Sequence, residues 1–248
     1  MDPEDVLDQL QRAADAIAAV LARLDDWGEA GTKPGQHRSD LVADAAGTAE
    51  LVGAGFGVLS EESGLQGADR EVLVVLDPLD GSTNADQGIP WFATSLCAVD
   101  GDGPVAAVVV NLASGTRYDA MRGGGARRDG KPIAPSGATS LRRSIVGLSG
   151  FPPRYLGWKQ YRALGAAALD LCAVADGALD GYVDCSPDAH GVWDYLGGQL
   201  VCTEAGALAV DAFDRDLVVR DPTARRTPVA AATPALLAEL VEARRSFA

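Results

Sequence analysis

A short apolar strand that ends on two aspartates limits what this chain can fold into. Residues 72–76 (VLVVL) are five apolar residues in a row, and DPLDG follows directly at residues 77–81. Pro78 fixes its own φ and cannot donate to a strand ladder, so the chain must turn there. Such a turn can direct Asp77 and Asp80 into one space. The pattern predicts a buried strand that delivers two carboxylates at its C-terminal end.

The residues around this turn also favour an anion. The turn can expose the carbonyl of Leu79, and Gly81 permits close approach of the backbone to a ligand. Ser82 and Thr83 follow, and they can open a helix whose free N–H groups suit a phosphate. Carboxylates that hold cations would then lie beside amides that hold an anion. Metal-assisted phosphoryl transfer requires this combination.

Two more acidic positions follow or open regular structure. Glu61 and Glu62 come after a short apolar strand, and Asp194 lies at the start of a predicted helix. Two like charges about 4 Å apart in a partly screened site repel by roughly 4 kcal/mol. Carboxylates therefore converge only around cations or when they are protonated. Each motif alone is commonly a turn, a loop or a helix cap, but the three together favour a site for Mg²⁺ or Mn²⁺, which prefer oxygen ligands.

Hydrophobic periodicity predicts mixed α and β structure. We expect helices over residues 4–24, 40–53, 164–176, 192–205 and 234–245, with Ser39 or Asp40 as the N-cap of the second. Strands are expected at residues 57–59, 72–76, 91–99, 104–112, 116–121, 144–148 and 181–184, and around Leu208 and Val229. The interpretation is one domain, 1–248, with two lobes. Lobe 1–140 would hold most metal ligands, and lobe 141–248 would contribute Asp194 and the wall of the substrate pocket.

Composition excludes several classes of function. The formal net charge is −14, with 35 acidic against 21 basic residues, so the surface is expected to repel nucleic acid and anionic lipid. No segment reaches the roughly 18 apolar residues that cross a bilayer. The N-terminus lacks the basic region of a secretory signal, so we expect a cytoplasmic protein. The four cysteines are widely spaced, and we expect reduced core residues rather than a zinc site.

Several segments resemble the inositol monophosphatase family, in the family's order. They are residues 60–64 (SEESG), 77–84 (DPLDGSTN), 165–170 (GAAALD), 193–194 (WD) and 204–206 (EAG). The resemblance covers nearly the whole chain. It implies an α+β fold, a layered αβαβα sandwich, and usually a homodimer.

The resemblance also implies roles for individual residues. Glu61, Asp77 and the Leu79 carbonyl would hold a first Mg²⁺, and Asp77, Asp80 and Asp194 a second, with a weaker third ion near Glu61. The amides of Gly81 and Ser82 would contact the phosphate, the Ser82 hydroxyl would orient the attacking water, and Glu62 would support the ligands. The candidate substrate-binding residues are Gly81, Ser82, Thr83, Asp184 and Ala166.

Two departures from the family pattern stand out. Aligned from Asp40, the family's Thr and the water-activating Asp three positions later correspond to Ala43 and Ala46 here, which predicts slower catalysis unless Asp44 takes the role. The stretch between Asp184 and Trp193-Asp194 is also longer, with residues 186–191 inserted. His190 lies in that insertion and either touches the substrate or is a plain loop residue.

The sequence therefore predicts an Mg-dependent phosphomonoester hydrolase acting on a small metabolite, with myo-inositol monophosphate as the first candidate. Histidinol phosphate, fructose 1,6-bisphosphate and a 3′-phosphonucleotide remain alternatives within the same chemistry. A weakly active regulatory protein that keeps the metal pocket is an alternative from another class, favoured by Ala43 and Ala46.

Overall fold

Helices and sheets alternate in five layers. The computed structural model describes residues 1–31 and 36–247, and within them two β-sheets alternate with three helical layers. This arrangement confirms the predicted α+β sandwich. None of the helices in the described ranges is long and apolar enough to cross a membrane.

The first sheet comes from the first part of the chain. Its eight strands lie in the order β2-β1-β3-β4-β5-β6-β7-β8. Strand β1 runs parallel to β3, whereas the other neighbours are antiparallel. The strands are β1 Gly57–Ser60, β2 Gly64–Gln66, β3 Leu73–Asp80, β4 Ala93–Asp100, β5 Gly103–Asn111, β6 Arg117–Met121, β7 Gly125–Arg128 and β8 Lys131–Pro132.

The second sheet comes from the rest of the chain. Its five strands lie in the order β10-β9-β11-β13-β12. They are β9 Ile145–Ser149, β10 Gln160–Arg162, β11 Gly181–Asp184, β12 Leu208–Asp211 and β13 Pro228–Ala231. The predicted lobe boundary near residue 140 falls between the two sheets, and the division into lobes stays a prediction.

Six α-helices and one 3₁₀ turn complete the described structure. They are α1 Pro3–Leu21, α2 Arg38–Gly53, α3 Ser82–Asp86, the 3₁₀ turn Leu141–Arg143, α4 Ala167–Ala175, α5 Val192–Ala205 and α6 Pro234–Arg245. The predicted bounds of α5 and α6 are confirmed because strong local signals mark them. Gly206 ends α5 in the left-handed conformation, and the Thr233 hydroxyl accepts a hydrogen bond from the Leu236 amide at the start of α6.

Strand β3 joins two hydrophobic cores because its side chains alternate between the faces of the sheet. Val74 and Leu76 pack in the core under α1 and α2, whereas Leu73 and Val75 pack in the core with α4 and α5. Helix α6 covers the outer face of the second sheet through a third core. Helices α4 and α5 thus lie between the sheets, close to where β3 ends.

Some local predictions were wrong. Helix α2 begins at Arg38 with His37 as N-cap, not at Asp40 with Ser39 or Asp40 as the cap. Residues 32–35, between the two predicted helices 4–24 and 40–53, lie outside the described residues. Helix α1 ends three residues early, and α4 starts at Ala167 rather than at residue 164. The four cysteines are free and buried, as predicted.

Candidate active site

The predicted turn at Pro78 is wrong, because β3 continues through Pro78 to Asp80 and its pairing with β4 only becomes irregular there. The strand is buried along its whole length, through Asp80, and its register against β4 shifts between Asp77 and Asp80. The Leu79 amide donates to Asp77 Oδ1 over 3.0 Å, which fixes that carboxylate against the backbone of this irregular stretch. The Thr94 hydroxyl donates to the Asp77 carbonyl from the neighbouring strand. The irregular ladder re-aims side chains that a regular strand would send to opposite faces.

Three of the four predicted ligands come together. Glu61 follows β1, Asp77 lies in β3 and Asp194 lies in the first turn of α5. One carboxylate oxygen of each lies within 4.8 Å of those of the other two. Since β1 and β3 are parallel neighbours, Glu61 and Asp77 emerge at the same edge of the sheet. The described residues hold this one set of three ligating side chains at such distances.

Asp80 lies beside this trio rather than within it. Its Oδ2 accepts a hydrogen bond from the Ala168 amide, 2.8 Å away, at the start of α4. Its charge acts on both Glu61 and Asp77, so it belongs to the same electrostatic cluster.

The carboxylates of the cluster repel one another, and this repulsion raises their pKa values. Burial raises the pKa of Asp77 well above its ordinary value, and the charges of Glu61, Asp80 and Asp194 raise it further. Glu61 is an exposed residue, but desolvation of its carboxylate beside the cluster and the charge of Asp194 raise its pKa to about 8. The same two causes raise the pKa of Asp80 to about 7. Clustered oxygen donors that repel each other fit a hard divalent cation such as Mg²⁺ or Mn²⁺.

Two neighbouring groups, the Gly191 amide and the His190 ring, contact the Asp194 carboxylate. Its Oδ2 accepts the Gly191 amide at 2.7 Å and faces His190 Nδ1 at 3.3 Å. Burial lowers the pKa of His190, but the hydrogen bond to Asp194 and the charges of Asp194, Asp184 and Asp80 outweigh burial and raise it to about 9. The inserted loop histidine therefore belongs to the surroundings of the cluster.

The expected phosphate-binding residues open a short helix. Gly81 has φ of 84° and acts as the N-cap of α3, which begins at Ser82. A Cβ at Gly81 would lie 3.0 Å from the Gly165 carbonyl oxygen and 3.2 Å from the Ala166 Cβ. Thr83, the second residue of α3, is exposed. The turn therefore requires glycine both for its conformation and for space.

The predicted pocket wall is only partly open. Ala166 is the N-cap of α4 and is 1% exposed. Asp184 is fully buried, and its Oδ1 accepts the Ser186 amide at 2.8 Å. Asn84, from the same motif as Asp77, donates to the carbonyls of Trp91 and Leu164 and so pins the segment before α4 against the turn. The roles of Asp184 and Ala166 toward a substrate stay predictions.

Comparison with known proteins decides the family. The sequence model of the inositol monophosphatase family matches residues 45–247. The chain belongs to the inositol monophosphatase family. It is therefore a phosphoric monoester hydrolase, and the family is metal-dependent, in agreement with the acidic cluster.

Relatives within the inositol monophosphatase family carry several names. The fructose-1,6-bisphosphatase/inositol-1-monophosphatase of Archaeoglobus fulgidus is 33% identical over 83% of this chain and 84% of its own length. The fructose-1,6-bisphosphatase of Pyrococcus furiosus is 34% identical over 72% and 70%. The Nus factor SuhB of Pasteurella multocida is 32% identical over 62% of each chain.

Solved structures agree on the fold. The inositol monophosphatase from Anabaena superposes with a TM-score of 0.82 at 26% identity, covering 99% of this chain and 97% of its own. A Pyrococcus horikoshii protein described as similar to inositol-1 monophosphatase gives a TM-score of 0.83 at 25% identity.

Asp40, which was not among the predicted site residues, lies close enough to Glu61 for their charges to interact. It occupies the third position of α2, where its Oδ2 accepts the His37 amide at 2.8 Å. Its Oδ1 is buried and has no hydrogen-bond partner among the described residues. Burial raises the pKa of Asp40 to about 6, and its charge acts on Glu61 and Glu62. A signal existed: His37 precedes Asp40 by three residues, the spacing of the family's Thr and Asp.

The residues first considered for that role lie elsewhere. Ala43 is buried in the core beneath α1, and Ala46 is half-buried. Asp44 Oδ1 accepts hydrogen bonds from the hydroxyls of Ser60 and Ser63. Asp44 thus braces the end of β1 just before Glu61. Glu62, expected as a support, accepts a hydrogen bond from the Gln36 side chain.

Proposed function

We propose that this protein hydrolyses a small phosphate monoester with Mg²⁺ as cofactor and that myo-inositol monophosphate is the first substrate to test. The observation that carries the proposal is the convergence of Glu61, Asp77 and Asp194 within 4.8 Å, with Asp80 beside them. These four carboxylates and the Leu79 carbonyl would hold two Mg²⁺ ions, or three if Glu61 reaches a further one. Mn²⁺ would fit the same donors.

The chain's own groups would bind and orient the reactants. Bound Mg²⁺ would supply positive charge for the phosphoryl oxygens and lower the pKa of the attacking water. The amides of Gly81 and Ser82 would hold the phosphate oxygens at the start of α3. The Ser82 hydroxyl would orient the attacking water. Glu62, which accepts a hydrogen bond from the Gln36 side chain, would support the metal ligands.

We further propose that Asp40, rather than Ala46 or Asp44, corresponds to the water-activating aspartate of the family. Its unpaired buried oxygen is available to accept a proton or a hydrogen bond, and its charge acts on Glu61, a member of the cluster. A general base must lie within hydrogen-bond reach of the proton that it takes. With Asp40 in this role, Ala46 is no longer a reason to expect slow catalysis.

A second substrate has specific support. Two relatives at 33–34% identity carry fructose-1,6-bisphosphatase in their names, so fructose 1,6-bisphosphate is the second candidate. The relatives named Nus factor SuhB keep a regulatory role open as a rival to catalysis. Histidinol phosphate and a 3′-phosphonucleotide complete the set to be compared.

The test is phosphate release from these four substrates with Mg²⁺, with EDTA, and with the D77N variant as the inactive control. We expect Mg²⁺-dependent release, fastest with inositol monophosphate, and none with EDTA or D77N. Metal binding without release from any substrate would overturn the catalytic proposal in favour of the regulatory one. Size-exclusion chromatography with light scattering on the same samples would test the homodimer that the family resemblance implies.

A further inference from the structure

The imidazole of His190 lies between two carboxylates. Its Nδ1 is 3.3 Å from Asp194 Oδ2, and its Nε2 is 3.6 Å from Asp184 Oδ1. The Ser149 hydroxyl and the Tyr182 hydroxyl also face Nε2, at 3.2 and 3.3 Å. Only 13% of the side chain is exposed. A ring contacted on both nitrogens has one orientation available, so its position relative to Asp194 is fixed.

The backbone on both sides of the ring is fixed as well. The Arg226 amide donates to the His190 carbonyl over 2.9 Å. On the outer face of the second sheet, the Arg244 guanidinium, 4% exposed, donates to the carbonyls of Asp184 and Ser186 at 2.6 and 3.1 Å. The inserted segment 186–191 is therefore anchored at both ends, and His190 is presented to Asp194 from a rigid support.

From this geometry we infer that His190 is a positioning residue for the metal centre. Together with the Gly191 amide, it occupies Oδ2 of Asp194, so that Oδ1 is the oxygen left to face the cation. Without these contacts, rotation of the Asp194 side chain would allow either carboxylate oxygen to face the cation. Groups that orient a metal ligand in this way commonly change metal affinity when removed. The inference rests on the proposed metal site.

Asp184 takes a supporting part in the same arrangement. It is fully buried, its Oδ1 accepts the Ser186 amide, and the same oxygen lies 3.6 Å from the far nitrogen of the imidazole. The chain of contacts then runs from Asp184 through His190 to Asp194 and the cation.

The experiment measures Mg²⁺ and Mn²⁺ affinity by calorimetry, without substrate, for the wild type and for H190A, H190N, H190Q and D194N. The Asn amide can replace Nδ1 and reach Asp194, whereas the longer Gln amide matches the position of Nε2. We expect H190A and H190Q to bind the metal about 10–100-fold more weakly and H190N to retain most of the affinity. Melting temperatures in EDTA establish that each variant is folded.

The outcomes separate the two proposals. If the wild type binds no divalent metal, or if D194N binds as tightly as the wild type, the proposed metal site is wrong. If D194N loses affinity while folded H190A and H190Q bind like the wild type, the metal site stands and the role of His190 is wrong. Equal losses in H190N, H190A and H190Q would also contradict it, because the Nδ1 contact would then have no special importance.

Discussion

The two sides of the site are built in different ways. On the metal side, Glu61, Asp77 and Asp80 lie at the ends of two adjacent strands of one sheet. On the other side, Asp184 and His190 come from the second sheet and its inserted loop, and His190 contacts the cluster at Asp194. The candidate metal ligands can thus be predicted from contiguous motifs, whereas the contacts behind Asp194 depend on how distant segments pack.

The largest expected effect is on the metal side. D77N removes the carboxylate that both proposed ions share, and loss of one electrostatic group in an active site already costs about 10²–10³ in kcat. We expect a loss of at least about 1,000-fold in kcat. The metal-free variant should nevertheless melt at a higher temperature than the metal-free wild type, because a buried, repelled charge is gone. Lower stability in EDTA would contradict this account of the cluster.

The second prediction concerns the two sites considered for water activation. D40N should lower kcat by about 100-fold, within the range for general acid–base groups, and leave metal affinity nearly unchanged. A46D should give no gain, because Asp40 already fills the role. Steady-state kinetics with saturating Mg²⁺ measures both. A clear increase in kcat for A46D, with D40N unchanged, would return the role to residue 46.

Gly81 lies where the turn after β3 approaches Gly165 and Ala166, just before α4. G81A should destabilise the protein by about 2 kcal/mol, since a non-glycine residue in the left-handed region costs 1–2 kcal/mol and the new Cβ would press on Gly165 and Ala166. The matched control is G115A, at φ of 75° with nothing within 4 Å of its Cβ. Urea unfolding measures the free energy of unfolding of both variants. Equal decreases would show that the contact of residue 81 with Gly165 and Ala166 is unimportant.

The smallest effect is a pH dependence of metal stabilisation. The pKa of Glu61, ordinarily 4.5, is about 8 in the folded protein, and that of Asp80, ordinarily 3.8, is about 7. The folded state therefore binds more protons than the unfolded state, and metal-free stability falls as pH rises from about 4 to 8. Mg²⁺ replaces those protons, so it should raise the melting temperature by several degrees more at pH 8 than at pH 6. Thermal scans at equal saturation test this, and an equal shift at both pH values would contradict it.

Much of the fold followed from local signals. The apolar strand before Asp77, the bounds of α5 and the Thr233-Pro234 start of α6 are all marked in the sequence. Strands β2, β7, β8 and β10 were not predicted because each has only two to four residues, mostly half-buried or exposed, and forms only against a neighbour. Short elements of this kind depend on tertiary pairing rather than on periodicity.

The site was predicted unevenly for a related reason. Glu61, Asp77 and Asp194 follow from motifs, and their convergence agrees with the expectation. Asp40 was not among the predicted site residues, since α2 was expected to begin at Asp40 and instead begins at Arg38 with His37 as its N-cap. The contact of His190 with Asp194 depends on an inserted loop whose path is fixed by Arg226 and by Arg244, a residue of the last helix, and no local pattern records those contacts.

The central claim is that carboxylates from separate parts of the chain surround shared cations. The most direct test is a crystal soaked in Mn²⁺, with the ion located by anomalous scattering. The account predicts density between Glu61, Asp77 and Asp194, with Asp80 on its edge and His190 still against Asp194 Oδ2. An empty cluster at saturating Mn²⁺, with the Asp194 side chain rotated away from Asp77, would contradict it.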